Sequence, residues 1–289
     1  MHSDLSSTHK VCKHRKRHER VSSYPCHSRI CSSLGSAVAR LFAHHGYRVV
    51  INYHTDSERA RTLIAELSAQ HAKLSDVEGI KTISRYISIQ ADLASALEIR
   101  PLLKETYAAM GRIDVVLSNG GWTKFRDTAS IDDNVFEEDW DRAFNMNVNS
   151  HLWLLQASKQ YLDETEGAFI TTASIAGVTG VGSSLVVRAY GTTKAAQLHM
   201  VKGLACMVAP KIRVNSVSPG LLQTKWATRF TVEQKEAHRQ GNKLKRFVDL
   251  EVKTQEAADS RVVAEQVLGL AKSRSRTGTN IIIDAGYSL

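Results

Sequence analysis

The chain has 289 residues, 43% hydrophobic and 23% charged, with 17 glycines, 4 prolines and 4 cysteines, which excludes a disordered chain, a collagen-like repeat and a disulfide-built scaffold. No apolar run approaches the roughly 18 residues of a membrane span, so a soluble, cytoplasmic protein without a membrane partner is expected. The net charge of +9 is concentrated at the front: residues 1–32 hold seven Lys/Arg against Asp4 and Glu19, and the rest of the chain carries only +4, so no nucleic acid partner is expected.

Within that front, Lys10 to Arg20 is basic, but has neither the apolar core of a signal peptide nor the helical period of a transit peptide. Cys12, His14, His18, Cys26 and Cys31 lack the paired spacing that places four ligands around zinc, so no metal is expected. Residues 1–32 read as an irregular, solvated basic segment, and residues 33–289 as the folded domain.

From Gly35 onward, helix-like and strand-like segments alternate. Helical patterns cover Gly35 to His45, Ser57 to Gln70, Ala94 to Met110, Glu137 to Tyr161, Tyr190 to Val208 and Ser260 to Leu270. Between them, apolar β-branched runs cover Tyr47 to Tyr53, Tyr86 to Ile89, Ile113 to Leu117, Ala168 to Thr172, Ile212 to Val217 and Asn280 to Ile283. The alternation predicts a parallel sheet covered on both faces. Six strands rather than eight favour an α/β doubly wound, Rossmann-type sheet over a closed barrel, in a single domain.

In such a sheet ligands bind beyond the carboxyl ends of the strands. There the chain places Ser118-Asn119-Gly120-Gly121, then Ser174 with Gly177, then Tyr190-Gly191-Thr192-Thr193-Lys194, then Pro219-Gly220 with Thr224. Tyr190 and Lys194 stand at i and i+4 on one helix face. An ammonium beside a phenol favours the phenolate, which would make Tyr190 a usable acid/base, while the Ser174 hydroxyl could hold a carbonyl oxygen.

Taken in order, these residues resemble the short-chain dehydrogenase/reductase family over about residues 33–289. Ser118 to Gly121 is similar to that family's N-N-A-G, Asn147 to its helix asparagine, Ser174, Tyr190 and Lys194 to its Ser and Y-x-x-x-K. Pro219-Gly220 with Thr224, Asp92 after the second strand seen here, and Asp284-Ala285-Gly286 complete the match. The resemblance implies that Tyr190 is the catalytic acid/base, that Ser174 polarises the substrate oxygen, that Lys194 binds the nicotinamide ribose and lowers the Tyr190 pKa, and that Asn147 completes a proton relay. It also implies cofactor contacts from Leu34, Gly35, Tyr53, His54, Asp92, Asn119, Gly120, Leu222 and Thr224, and a homodimer or homotetramer. The spacing from Ser174 to Tyr190 is longer than usual in the family, which implies an enlarged loop from Val178 to Val187 beside the substrate.

Cofactor choice turns on the end of the first visible strand, Asn52-Tyr53-His54-Thr55, where no carboxylate repels a ribose phosphate and His54 could attract one. NADP is therefore expected over NAD, with Asp56 as the rival feature. The chain departs from the family at the glycine-rich turn: in Ser28-Arg29-Ile30-Cys31-Ser32-Ser33-Leu34-Gly35 only the last glycine remains, and upstream Pro25 is ill suited to a central strand. Residues 1–32 are read first as a stretch wrongly joined to the gene, with a divergent strand, or a relative that has lost its cofactor, as the alternatives. Two functions follow: an NADP-dependent oxidoreductase acting on a carbonyl or secondary alcohol, or a catalytically impaired binding protein. Trp122, Trp226, Phe230 and Phe247 suggest an apolar pocket for a bulky ketone of the secondary-metabolite kind, or else core packing and oligomer contacts.

Overall fold

Helix α1 (Ser33–His44) opens the described chain because Leu34, Val38 and Phe42, spaced four apart, form one apolar stripe that is buried along its length. A computed structural model of the protein describes residues 33–72, 84–124, 131–179, 188–222, 227–228, 230–248 and 260–289. The elements that follow are β1 (Val49–Tyr53), α2 (Ser57–Ala72), β2 (Tyr86–Gln90), α3 (Ala96–Met110), β3 (Val115–Ser118) and α4 (Glu137–Phe144). A π turn (Asn145–Asn149) leads into α5 (Ser150–Thr165), then β4 (Ala168–Thr172), a 3-10 turn (Ile175–Gly177), α6 (Arg188–Val208), β5 (Arg213–Pro219), α7 (Val232–Gly241), α8 (Ser260–Lys272) and β6 (Asn280–Ile283).

Every strand pairing is parallel. β1 pairs with β2 from Val49↔Tyr86 to Tyr53↔Gln90, and β3, β4, β5 and β6 form a four-stranded sheet in that order. Strand residues alternate between two apolar layers. Val49, Ile51, Val115, Leu117 and Ile170 meet α1, α2 and α8 on one face through Val38, Phe42, Leu63, Val263 and Val267. Val50, Val116, Phe169 and Val214 meet α3, α5 and α6 on the other through Ile99, Leu102, Leu155, Leu162, Val201 and Leu204. Both faces are covered, which is why the strands read as continuous apolar runs instead of alternating ones.

The doubly wound α/β architecture is therefore present. Among the described residues no strand bridges β1 to β3, so the hydrogen-bonded sheet is in two pieces that share both apolar layers. The segment expected to be irregular, residues 1–32, lies outside the described residues, as do the cysteine and histidine positions considered for zinc there.

The expected single helix from Glu137 to Tyr161 is instead α4 and α5 joined through the π turn, where one extra residue per turn displaces the register. Helix α7 was not expected at all. It begins at a capping box in which Thr231 Oγ1 accepts from the Gln234 N–H at 3.2 Å, and Gln234 Oε1 accepts from the Thr231 N–H at 3.0 Å. Among the described residues no helix is long and apolar enough to cross a membrane.

Candidate active site

The carboxyl ends of β3, β4 and β5 and the first turns of α6 bring most of the chemistry-bearing residues together. Ser174 follows β4 in extended conformation and caps the 3-10 turn, its Oγ accepting from the Ala176 N–H at 3.1 Å. That turn lies flat against α6 because Gly177 has no side chain: a Cβ there would fall 2.5 Å from the Lys194 carbonyl carbon and 2.6 Å from the Ala195 nitrogen. The contact seats the Ser174 hydroxyl on Tyr190, with which it hydrogen-bonds.

Tyr190 is half-buried on the first turn of α6. Burial pushes its phenol above the ordinary value, and the Ser174 hydroxyl pulls in the opposite direction. This corrects the expectation that Lys194 would lower the Tyr190 pKa. The Lys194 Nζ lies 5.7 Å from the Tyr190 ring centroid, and its hydrogen bonds go elsewhere, to the Thr172 carbonyl at 2.8 Å and to Gln197 Oε1 at 2.9 Å. Lys194 is 2% exposed, and burial lowers it to about 7.

Asn147 sits in the π turn and is fully buried. Its Nδ2 donates to the Trp122 carbonyl and to Thr193 Oγ1, both at 2.9 Å, and its Oδ1 accepts from the Trp122 N–H at 2.7 Å. Thr193 Oγ1 in turn donates to the Tyr190 carbonyl at 2.9 Å. The amide thus ties the loop after β3 to the start of α6. A Cβ on Gly121 would stand 3.5 Å from Asn147 Oδ1 and 3.7 Å from Lys194 Nζ, so Gly121, Asn147 and Lys194 border one small space. Asn119 and Gly120 form the stretch between β3 and this space.

At the other end, Tyr53 and His54 close β1 and Asp92 follows β2. His54 Nε2 is 3.9 Å from Asp92 Oδ2, the Ala91 N–H donates to the Tyr53 carbonyl at 2.9 Å, and Gln90 Nε2 donates to the His54 carbonyl at 2.8 Å. Three residues separately expected to meet the adenosine end are therefore neighbours. Leu34 is buried in the α1 stripe, and its side chain is spent on the core. Gly35 is buried beside it. Leu222 bridges Val248 after β5. Thr224 and Trp226 lie outside the described residues, as does most of the loop from Val178 to Val187.

The aromatic pocket reading divides. Phe230 is buried with Leu221 and Ala227, and Phe247 packs against that group, so these two serve as packing. Trp122 is half-buried, with the Arg142 guanidinium 5.1 Å from its ring centroid. Residues that sequence reasoning passed over are Thr172, Thr193 and Gln197. The signal for the last was available: Gln197 continues the inward stripe Ala189, Thr193, Gln197, Val201, Leu204, where a polar residue needs a reason.

Comparison with known proteins adds independent findings. The family profile described as enoyl-(acyl carrier protein) reductase matches residues 30–288. The chain is 29% identical over 205 residues to the 3-oxoacyl-(acyl-carrier-protein) reductase FabG of Staphylococcus aureus, covering 70% of this chain and 76% of that one. It is 34% identical over 193 residues to an uncharacterized oxidoreductase of Methylorubrum extorquens, covering 66% of this chain and 69% of the other. In fold it is similar to the NADPH-dependent 3-quinuclidinone reductase from Rhodotorula rubra, with a TM-score of 0.76 at 22% identity, over 93% of this chain and 91% of that one.

Proposed function

Because the chain belongs to the short-chain dehydrogenase/reductase family of nicotinamide-dependent oxidoreductases, we propose that it is an NADP-dependent reductase of a ketone, with Tyr190 as the proton donor. The observation that carries this reading is the convergence of the Ser174 hydroxyl on the Tyr190 phenol, with the Lys194 ammonium behind it. The backbone from Asn119 to Gly121 leaves room that a side chain would fill beside Asn147 and Lys194, which fits a flat ring and its ribose. When bound, the dinucleotide supplies the hydride to the carbonyl carbon.

The chain's own residues do the rest. Ser174 Oγ donates to the substrate oxygen and holds it on Tyr190, and the phenol transfers its proton to that oxygen as the alcohol forms. Burial keeps the phenol protonated at neutral pH, which favours carbonyl reduction over alcohol oxidation. Lys194 offers positive charge toward the ribose, and Asn147 holds the loop from Gly120 to Trp122 in place. His54 and Tyr53 would take the adenosine ribose and its phosphate, with Asp92 setting the His54 orientation. The substrate is proposed as a bulky ketone beside Trp122, and the working form as a homodimer or homotetramer.

The impaired-binder reading draws on Arg29 and Ser33, which stand in the sequence where the family's glycine-rich motif has glycine. Fluorescence titration of the intact chain with NADPH separates the two, since saturable binding supports the reductase and its absence supports the rival. Turnover is then read as NADPH consumption across a ketone panel. Tyr190→Phe is expected to lower kcat by about 10²- to 10⁴-fold with little change in NADPH affinity. Unchanged turnover would remove Tyr190 from the role given to it.

A further inference from the structure

Behind the Tyr190 phenol, three groups meet at one buried point. The Lys194 ammonium donates to the Thr172 carbonyl at 2.8 Å and to Gln197 Oε1 at 2.9 Å, and Gln197 Nε2 donates to the same Thr172 carbonyl at 3.3 Å. Gln197 is fully buried, and lies one turn beyond Lys194 on α6, so the two side chains share a face. A leucine or valine would suit the apolar stripe that Gln197 interrupts between Thr193 and Val201. A buried primary amide at such a place costs free energy unless its polar atoms are used, and here both ends are.

We propose that Gln197 is a positioning residue for the reaction: together with the Thr172 carbonyl, its amide oxygen fixes the Lys194 Nζ beside Gly121 and sustains the positive charge that the site uses. This rests on the reading of Ser174, Tyr190 and Lys194 as the active site. Lys194 has left water, so every acceptor within reach weighs on whether it is charged, and only neutral acceptors are in place. Tyr190 lies on its own helix. On the elements packed against α6, Asp139 of α4 pairs with Lys124 at 3.3 Å, Glu137, Glu138 and Asp141 are exposed, and Arg142 lies over Trp122. The π turn contributes the neutral Asn147, the 3-10 turn contributes nothing that titrates, and Arg213 at the start of β5 caps the end of α8. Burial alone accounts for the lowering of Lys194, to about 7.

Two substitutions move the charge in opposite directions. Gln197→Met keeps the length and removes the acceptor, so Lys194 loses its proton at lower pH. Gln197→Glu puts a carboxylate at the same place, so Lys194 keeps its proton to higher pH. The alkaline limb of kcat/KM should follow: a downward move of about one pH unit leaves roughly a tenth of Lys194 charged at pH 7 instead of about half, a fivefold loss that narrows to about twofold at pH 6. Gln197→Glu should move the limb upward.

A readout independent of turnover is the titration of Lys194 in lysine-¹³Cε-labelled protein, assigned by the resonance lost in Lys194→Arg. It should shift down in Gln197→Met and up in Gln197→Glu. A uniform loss at all pH values with an unmoved titration would assign Gln197 to packing alone and overturn the proposal. Should Gln197→Met not fold, an unmoved limb and titration in Gln197→Glu overturn it equally. If Tyr190→Phe leaves turnover intact, the reading of the site fails instead, while the Lys194 titration still decides the role of Gln197.

Discussion

Replacing Lys194 by Met removes an ammonium that the fold has taken out of water, and the consequence can be worked out from its burial. In the folded chain Lys194 sits at about 7, against an ordinary value of 10.5 in the unfolded chain. Between those values the unfolded chain holds a proton that the folded chain does not, so the stability of the folded form rises as pH rises. Below about 7 both forms are protonated and this group contributes no slope. At about 1.4 kcal/mol per pH unit, the whole window is worth on the order of 5 kcal/mol, and the part between pH 7 and pH 9 about 2 kcal/mol.

The measurement is a double difference. Urea unfolding of wild type and Lys194→Met, followed by circular dichroism at pH 7 and pH 9, gives four free energies. Loss of the hydrogen bonds to Thr172 and Gln197 lowers the variant by a similar amount at both pH values and cancels. Wild type should gain about 2 kcal/mol more than the variant on going to pH 9. Parallel behaviour of the two proteins would mean that Lys194 is not held near neutrality, and the argument for a burial-tuned ammonium would fail.

Three further outcomes are expected. Gly177→Ala should push the 3-10 turn off α6, lowering stability by about 1–3 kcal/mol and kcat by about 10²-fold, with NADPH affinity retained; a fully active variant would contradict the tight packing at Lys194 and Ala195. Thr231→Ala should cost about 1 kcal/mol in urea unfolding by opening the capping box of α7, and a neutral result would place that helix outside the cooperative unit. His54→Ala should raise KM for NADPH severalfold and leave that for NADH unchanged, whereas equal effects on both would locate phosphate recognition elsewhere.

The layered α/β plan was legible because strands buried on both faces must be apolar throughout, as Val49 to Ile51, Val115 to Leu117 and Ala168 to Ile170 are. Ser174, Tyr190 and Lys194 were legible as polar residues after a strand or on one helix face, and Asn147 only through the family resemblance. What escaped reading had physical causes. Helix α7 is polar and buries chiefly His238, so periodicity is faint there, and only the threonine and glutamine three apart at its start announce it. The π turn has the composition of an ordinary helix. Spacing placed an ammonium one turn from the phenol, but spacing says nothing of competing acceptors, and Thr172 and Gln197 claim its protons. Phe230 and Phe247 show the converse, aromatic residues near the ligand side that pack on Leu221 and one another's surroundings.

The widened turn at Asn145–Asn149 acts as a register shifter between two helices. An ideal helix advances about 100° per residue and the widened turn takes one more residue for nearly the same rotation, so excising one residue there would restore an unbroken rod with its two ends in phase but change which residue of the turn faces the site. Asn147 would leave Trp122 and Thr193, and the loop carrying Gly121 would lose its tether. A shortened chain of this kind would make a more regular rod and a poorer catalyst, so the irregularity is better understood as a setting of which side chain faces the site than as a flaw in the helix.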